Sequence, residues 1–318
     1  MYDIIGISNS LIDLCVMVDD TFLKENSLKK GDEHLVDKEI FMYIHGQIKN
    51  PKISLGGSVS NTISSLSLLG QKVAEFGKVG IDEYGDMLIN DKINNNIGNF
   101  LKKSNYPTGA VICLITPDAE RTFVVYLGAA EKLLPEEIDY EILRKAKYLH
   151  ITAYEYLSLH ETVMQSVKFA KKNNIKISFD IGSPGIVQQN RLSFLKFIEE
   201  YVDILFANEQ ESYNLTKKKP VEAINQLYNI TNIAIIKLGK DGSLIKYQDI
   251  IHEIPAINVN AIDTTGAGDA YAAGILYGLI NNIDITKTGK IASYLASKVI
   301  KKIGARLNNI NLNEIKNI

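Results

Sequence analysis

The chain has 318 residues, of which 46% are hydrophobic and 23% are charged, with a formal net charge of −2. Such a composition is typical of a globular protein that is long enough for one large domain with an appendage. Because the net charge is close to zero, electrostatics does not favour nucleic acid or an anionic membrane as a partner. The sequence has no basic leader and no long apolar run, so we expect no signal peptide and no membrane-spanning helix.

The two cysteines, Cys15 and Cys113, are too few for a disulfide framework or a metal cluster. Both stand among apolar residues and have no basic partner nearby in sequence, so we interpret them as core thiols rather than nucleophiles. We therefore expect a protein of the reducing cytoplasm.

The first predicted strand is the β-rich run from Tyr2 to Ile7. Polar residues at the end of a first parallel strand point into the crevice where α/β sheets bind ligands. Asn9 and Asp13 therefore either bind a substrate rich in hydroxyl groups or form an Asx turn. Helical patterns follow at 20–25 and at about 38–48.

A glycine pair, Gly56 and Gly57, precedes an apolar helix. Glycines at this place let the backbone approach a ligand closely, and Asn61 lies in the first helical turns, where its amide can face the same cleft. The alternative is an ordinary loop-to-helix turn that Ser58 or Ser60 caps.

Two β-rich runs, 110–115 and 122–126, flank the turn 116–118 and predict a hairpin. Arg121 lies in this hairpin. A lone arginine is usually solvated, so Arg121 is either a surface charge or a closing contact to a substrate or phosphate group.

Strands and helices alternate from residue 130 onward, which favours a mainly parallel, doubly wound sheet with helices on both faces. His150 follows a strand core, and we expect a hydrogen-bonded structural histidine. The predicted strands are 148–151, 176–180, 204–207 and 233–238, and the predicted helices are 159–173, 188–201, 221–228 and 287–303, the last of which ends at Gly304.

Two of these strand ends carry polar side chains. Asn208 and Glu211 follow a buried strand and open a helix, where an acidic first turn is common. Lys237 precedes the turn formed by Gly239 and Gly242, and it either binds phosphate or extends past the strand end into solvent.

The segment 262–274 predicts a strand end, a tight glycine turn and a helix that begins near Gly268. Backbone N–H groups in such a turn, together with the helix dipole, form a cradle for an anion. Asp269 in the first helical turn is either an acidic residue stabilised by the dipole or a general base aimed at a hydroxyl group.

The sequence D-T-T-G-A-G-D at 263–269 resembles the C-terminal signature of the PfkB (ribokinase-like) family of sugar and nucleoside kinases. The resemblance implies that Asp269 is the catalytic base and that Gly266, Ala267 and Gly268 form the anion hole. G-G-x-x-x-N resembles the N-terminal signature and implies substrate contacts from Gly56, Gly57 and Asn61. N-x-x-x-D at Asn9 and Asp13 resembles the adenosine-kinase branch, in which the Asp binds ribose hydroxyls.

The same resemblance implies a nucleotide site and a lid. Asn208 and Glu211 match the N-x-x-E motif, which organises Mg²⁺ through water in this family. Gly239 and Gly242 match a G-x-x-G turn on the nucleotide side. Many relatives have threonine where Lys237 stands, so the resemblance does not assign a role to Lys237. The lid would comprise about 9–55 and 106–128, including Arg121, within one domain of residues 1–318. A monovalent cation such as K⁺ would lie near Asp263, Thr265 and the Gly304 region.

These features together predict a ribokinase-like α/β fold with a small β lid and an ATP- and Mg²⁺-dependent kinase for a primary hydroxyl group. The helical insert and the Pro107-Thr108-Gly109 entry to the hairpin resemble the adenosine-kinase branch, which favours adenosine over ribose or fructose. We expect a monomer, with a dimer as the alternative. A non-catalytic nucleoside sensor is the rival from another class, and a Rossmann dehydrogenase is disfavoured because no G-x-G-x-x-G follows the first strand.

Overall fold

The computed structural model describes residues 1–118 and 120–318. Its strands are β1 (Tyr2–Ile7), β2 (Ile12–Met17), β3 (Glu33–Leu35), β4 (Lys52–Leu55), β5 (Val73–Gly80), β6 (Gly98–Ser104), β7 (Ala110–Ile115), β8 (Arg121–Tyr126), β9 (Ala146–Thr152), β10 (Lys176–Asp180), β11 (Ile204–Asn208), β12 (Ile233–Lys237), β13 (Ser243–Tyr247) and β14 (Ile250–Ile254).

The helices are α1 (Asp20–Glu25), α2 (Lys38–His45), α3 (Ser58–Leu68), α4 (Glu83–Asn94), α5 (Tyr140–Leu143), α6 (Ala153–Ser158), α7 (His160–Lys172), α8 (Pro184–Tyr201), α9 (Glu209–Thr216), α10 (Pro220–Tyr228), α11 (Ala267–Ile280), α12 (Ile285–Val299) and α13 (Leu312–Lys316). Among residues 1–118 and 120–318, no helix combines the length and the apolar character needed to span a bilayer.

In the part of the chain that the structure describes, nine strands form the main sheet in the order β14-β13-β12-β11-β10-β9-β1-β5-β6. The pairs from β12 to β6 are parallel, and β13 and β14 add an antiparallel edge. The strand order reverses at β1, which lies between β5 and β9. Ligands of open α/β sheets bind at such a switch point, beside the carboxyl ends of the strands.

Helices cover both faces of this sheet, as the strand sequences predict. Leu205 of β11 packs in a core with Val163 of α7 and Phe194 of α8. The next residue, Phe206, packs on the opposite face with Ile275 of α11. Because successive side chains of a strand point to opposite faces, an uninterrupted apolar strand must be buried on both sides. The predicted doubly wound α/β fold is confirmed.

A second, smaller sheet stands over the switch point, with the strand order β3-β8-β7-β2-β4. Its strands come from the two segments expected to form a lid. Ile112 and Val124 on one face form a separate core with Leu23 of α1 and Phe41 of α2. The other face therefore remains for the cleft below it.

Among the boundaries that differ from the sequence predictions, two are explained by the same contact. No strand ends at Ile262, because β14 already ends at Ile254 and the chain then follows an irregular path. The backbone N–H groups of Ile262 and Asp263 donate instead to the carbonyl oxygen of Ile300, at 2.8 and 3.2 Å. Helix α12 accordingly ends at Val299, before the predicted position 303.

A buried ion pair joins β5 to α4 beneath the switch point. Lys92 Nζ lies 2.8 Å from Glu75 Oε2, and both side chains are 0% exposed. The hydroxyl groups of Ser8, Ser10 and Ser60 donate to Glu75 Oε1 at 2.7, 2.9 and 2.5 Å. Burial by itself would raise the pKa of Glu75, but the charge of Lys92 and these hydrogen bonds hold that pKa below its ordinary value.

We expect Lys92→Met to lower the free energy of unfolding by about 3–5 kcal/mol, because it leaves a buried carboxylate without its counter-charge. Urea denaturation at pH 7 measures this change. Lys103→Met is the matched control, since Lys103 and its partner Asp86 are 47% and 61% exposed and exposed pairs contribute at most about 1 kcal/mol. Equal effects of the two substitutions would contradict the prediction.

Candidate active site

A cleft of about 910 Å³ separates the small sheet from the carboxyl ends of the central strands. It brings together most of the residues that the sequence singled out, although they come from distant parts of the chain. The predicted residues that line it are Asn9, Asp13, Gly57, Asn61, Arg121, Asn208, Glu211, Lys237, Gly239, Asp263, Thr265, Gly266, Gly268 and Asp269.

Asp269 lies in the first turn of α11 and is held by two residues of α3. Its Oδ1 accepts from Ser58 Oγ at 2.7 Å, and its Oδ2 accepts from Asn61 Nδ2 at 2.9 Å. Burial raises the pKa of Asp269 to about 6, although both hydrogen bonds work against this rise. A carboxylate with such a pKa is ionised at neutral pH and is still basic enough to accept a proton.

The turn that leads into α11 requires glycine. Gly266 has φ +77°, and a Cβ on it would lie 2.1 Å from the carbonyl oxygen of Ala305. Ala267 then begins the helix, as expected. The first backbone N–H groups of a helix have no partner within it, and together with the helix dipole they favour a bound anion.

Lys237 adds a positive charge to this helix terminus. A Cβ on Gly268 would lie 3.1 Å from Lys237 Nζ, and the same ammonium group lies 2.7 Å from Asp180 Oδ2. Burial would lower the pKa of Lys237, but Asp180 and Glu211 outweigh it and raise that pKa. The alternative that Lys237 extends past the strand end into solvent is therefore wrong.

Asn208 and Glu211 form a reciprocal cap at the start of α9. Glu211 Oε1 accepts from Asn208 Nδ2 at 2.7 Å, and the Glu211 backbone N–H donates to Asn208 Oδ1 at 2.8 Å. Burial raises the pKa of Glu211 to about 7, although Lys237 opposes the rise. Among the described residues, no group of three or more His, Cys, Asp or Glu side chains could hold a metal ion. A Mg²⁺ ion that keeps most of its waters fits this single carboxylate.

Gly239 and Gly242 shape the turn after β12. Gly239 has φ +60° and lines the cleft. Gly242 has φ +91°, and a Cβ on it would lie 2.0 Å from the carbonyl oxygen of Ile254. Gly242 therefore holds the turn against the chain after β14.

The opposite end of the cleft contains Asp13, the candidate substrate carboxylate. Burial raises its pKa to about 7; Arg306 lowers this pKa, and Asp269 and Asp263 raise it. A Cβ on Gly56 would lie 2.3 Å from Asp13 Oδ1, so glycine is needed to seat this carboxylate. Asp13 and Asp269 thus face one cavity.

Asn9 and the start of α3 complete this end of the cleft. The side-chain amide of Asn9 donates to Ser158 Oγ at 3.0 Å. Gly57, with φ +89°, is the N-cap of α3, which has no side-chain cap. The alternative of a serine cap is wrong, because Ser58 donates to Asp269 and Ser60 donates to Glu75.

Arg121 connects the small sheet to the segment before α11. Its guanidinium donates to Asp263 Oδ1 and to Thr265 Oγ1. It is therefore a closing contact rather than a free surface charge, although its partners here are protein atoms. These are also side-chain oxygens of the two residues near which the resemblance placed a monovalent cation.

Asp263 is secured from a second direction. Its Oδ2 accepts from the Gly304 backbone N–H at 2.8 Å. Burial would raise its pKa, but the hydrogen bonds from Gly304, Thr265 and Arg121 together lower it. Asp263 therefore stays ionised beside Arg121.

Several residues of the site were not predicted to function there. Ser58 directly follows the glycine pair, so the argument applied to Asn61 could have found it. Asp180 is a polar residue at the carboxyl end of a buried strand, so the argument applied to Asn9 could have found it. Tyr154 lines the cleft and donates to Glu33 Oε1 of the small sheet at 3.1 Å. Arg306 stands in an irregular segment and carries no local signal.

His150 and Cys113 are buried as the sequence suggested, whereas Cys15 is more exposed than the predicted core thiol. His150 is buried, and its Nδ1 is 2.9 Å from Ser178 Oγ, so the prediction of a structural histidine is confirmed. Cys15 and Cys113 are opposite each other on β2 and β7. Cys113 is buried and Cys15 is half-buried.

The sequence pattern of the family described as "pfkB family carbohydrate kinase" matches residues 31–311. The chain belongs to the PfkB family. It is a kinase of the type that acts on sugars or nucleosides, as the two glycine signatures predicted.

Similar proteins include both kinds of kinase. The structure of a probable sugar kinase from Rhizobium etli has a TM-score of 0.92 and 28% identity, and the match covers 99% of this chain and 98% of that one. An adenosine kinase from Sinorhizobium meliloti has a TM-score of 0.91 and 27% identity with the same coverage. A ribokinase from Lactococcus lactis is 27% identical over 262 residues, which are 82% of this chain and 84% of that protein.

We expect Lys237→Met to weaken the binding of a nucleoside triphosphate by about 10–100-fold, the usual effect of losing a hydrogen bond to a charged group. Binding of the corresponding nucleoside, which lacks phosphates, should change little. Isothermal titration calorimetry of both ligands measures the difference, and Lys240→Met is the control because Lys240 is exposed on the same turn. Unchanged triphosphate affinity would show that Lys237 does not contact the phosphates.

Proposed function

We propose that this PfkB kinase uses ATP and Mg²⁺ to phosphorylate a primary hydroxyl group of a nucleoside, with adenosine as the first candidate. The observation that carries the proposal is the placement of Asp269. It lies at the N-terminus of α11 in the same cavity as Asp13 and near Lys237. An acceptor hydroxyl held by Asp13 would lie on one side of this base, and a phosphoryl group at the helix terminus on the other.

The chemistry follows from this order. Asp269 accepts the proton of the acceptor hydroxyl group while the oxygen of that hydroxyl attacks the γ-phosphorus; the bond from the γ-phosphorus to the β,γ-bridging oxygen breaks and ADP leaves. The N–H groups from Gly266 to Gly268 and the ammonium group of Lys237 stabilise the charge on the transferred group. Bound Mg²⁺ would neutralise phosphate charge, held through water by Glu211. Gly57 and Asn61 position the sugar beside Asp13.

The small sheet would act as a lid made of about residues 9–55 and 106–128. Its contacts with the main domain, from Arg121 to Asp263 and from Glu33 to Tyr154, already span the cleft. Closure of a lid excludes water that would otherwise hydrolyse the donor. Helices α1 and α2 cover the outer face of this sheet, which favours a monomer over a dimer paired through open lid sheets.

The choice of a nucleoside rests on the upper wall of the cleft. Phe123 and Val125 of β8, in the same sheet as Asp13, line the cleft together with Tyr154 of α6. A nucleobase can stack on aromatic and apolar side chains, whereas a free sugar needs mainly groups that hydrogen-bond its hydroxyls. A ribose or fructose kinase is the second candidate, because the similar proteins include a ribokinase.

We expect Asp269→Asn to lower kcat at least ~100-fold with little change in acceptor binding, because the amide keeps the shape but cannot accept the proton. ATP consumption with Mg²⁺ is measured against adenosine, inosine, ribose and fructose. Asp241→Asn, an exposed acid on the turn after β12, is the control.

The outcomes of this panel separate the hypotheses. Turnover with adenosine that the variant loses supports the proposal. Turnover with ribose or fructose alone keeps the mechanism and replaces the substrate. If the unmodified protein binds adenosine tightly but turns over no acceptor, a nucleoside sensor is favoured. Near-normal turnover by the Asp269→Asn variant would show that Asp269 is not the catalytic base.

The raised pKa of Asp269, about 6, gives the sign of the pH dependence. The base is active only when ionised, so we expect kcat to fall about tenfold per pH unit below pH 6. Ser58→Ala removes a hydrogen bond that favours the ionised form, so its acidic limb should move to higher pH. A kcat that is flat down to pH 4.5 in the folded protein would contradict this assignment.

A further inference from the structure

Arg306 lies behind the candidate base and joins three parts of the chain. Its Nε donates to Asn61 Oδ1 at 3.0 Å, one terminal nitrogen pairs with Asp91 Oδ2 at 2.6 Å, and the other reaches the carbonyl oxygen of Gly56 at 3.5 Å. The Arg306 side chain is only 12% exposed. A guanidinium group in this position acts as a planar fork with fixed donors.

These contacts determine which way the Asn61 amide faces. Arginine has no acceptor, so the atom of Asn61 that faces Arg306 must be the oxygen. The amino group of Asn61 must then point the other way, where it donates to Asp269 Oδ2 at 2.9 Å. A flipped amide would place its oxygen against a carboxylate and its N–H groups against a cation, and both contacts are repulsive.

Arg306 is itself held in place by buried charges. Asp91 accepts from it and also lies 3.6 Å from Lys92 Nζ, and Lys92 is paired with the fully buried Glu75. The side chain of Asp91 is 10% exposed. Paired charges with so little access to water have few alternative arrangements, so the Arg306 guanidinium group faces Asn61 in one orientation.

We propose that Arg306 is a positioning residue for the phosphoryl-transfer reaction: it orients the Asn61 amide toward Asp269 and supports the Gly56 backbone behind Asp13. This inference rests on the proposed role of Asp269 as the base. It assigns to the segment after α12 a function in the acceptor half of the site.

The inference has separate consequences for kcat and for KM. Without Arg306 the Asn61 amide can rotate, and Asp269 loses a donor that favours its ionised form, so the acidic limb of kcat should move to higher pH. Arg306 also lowers the pKa of Asp13. Its loss should leave Asp13 more protonated near neutrality and raise the KM for the acceptor.

Other ionisable groups also act on Asp269, and all of them except Asp13 keep their environment in this comparison. Asp180 of β10 and Lys237 of β12 face it from the main sheet. Asp13 of β2 and Tyr154 of α6 face it from the acceptor side. Arg306 substitutions leave Asp180, Lys237 and Tyr154 in place, and protonation of Asp13 would lower rather than raise the pKa of Asp269. An upward shift of the acidic limb is therefore attributable to the contact with Asn61.

The test compares Arg306→Lys and Arg306→Ala with the unmodified protein. Lysine keeps a charge but cannot contact Asp91 and Asn61 together with a planar fork. We expect an upward shift of the acidic limb by about half to one pH unit, so that kcat falls about 1.5- to 3-fold more at pH 6.5 than at pH 8.5. Guanidinium ion at tens of millimolar should restore part of the activity of Arg306→Ala.

The controls separate positioning from folding. Arg144→Ala removes a half-exposed arginine paired with Glu141, and it should change neither kcat nor its pH profile. If Arg306→Ala fails to fold, the same test is made with Arg306→Lys and Asp91→Asn. The Asp91→Asn substitution weakens the ion pair that holds the Arg306 guanidinium group. A ¹³C NMR titration of the Asp269 carboxyl, assigned with Asp269→Asn, measures its pKa without any turnover.

The inference is overturned if the Arg306 variants keep the pH profile of the unmodified protein, or if the titration of Asp269 does not move. A uniform loss of kcat at every pH without rescue by guanidinium would reduce Arg306 to a structural residue. If Asp269→Asn remains active, the proposed function fails first. If it is inactive while the Arg306 variants behave normally, only this inference fails.

Discussion

The contact between α3 and α11 is the constraint on which the candidate site depends. Asp269 belongs to one helix, and its two hydrogen-bond donors, Ser58 and Asn61, belong to the other. The carboxylate can therefore be both buried and ionised only while these helices stay in register. Gly266 allows α11 to begin beside Ala305. Without that close approach, the base and the helix terminus would not share one cavity.

Charged residues behind the site support this contact. Arg306 contacts Asn61 and pairs with Asp91. Asp91 in turn lies next to the buried pair of Lys92 and Glu75. Buried charges are a weak argument for stability, because desolvation offsets much of their attraction. Their value here is geometric, since each member restricts the orientation of the next. The polar network thus provides what an apolar core cannot, a defined direction for the donors around a base.

The residues that line the cleft form two groups that differ in charge. Lys237 and the amides at the start of α11 are positive and suit phosphate groups. Asp13 and Phe123 both line the cleft from the small sheet, and a carboxylate and an aromatic ring suit hydroxyl groups and a flat ring. Arg121 bridges the cleft through Asp263, so the position of the small sheet is coupled to the segment that precedes the base.

Much of the fold follows from short stretches of sequence. Alternating strands and amphipathic helices have periods that a window of ten to twenty residues contains, and the glycine signatures at Gly56 and Gly266 mark turns that few other residues allow. The candidate base at Asp269 was predictable for the same reason. The predicted strand end at Ile262 was wrong because its backbone donors pair with Ile300, a partner that no local pattern indicates.

The sequence by itself therefore determined the α/β class, the two glycine turns and the carboxylate at the start of α11. Only the tertiary structure decided which charges meet. Lys237 pairs with Asp180, and Arg306 contacts Asn61 across 245 positions of the chain. Such pairings depend on strand order and helix packing, which bring distant side chains within hydrogen-bonding distance. A solvated surface lysine and a lysine that is 17% exposed and paired beside a helix terminus have the same local sequence signal, and only their tertiary contacts distinguish them.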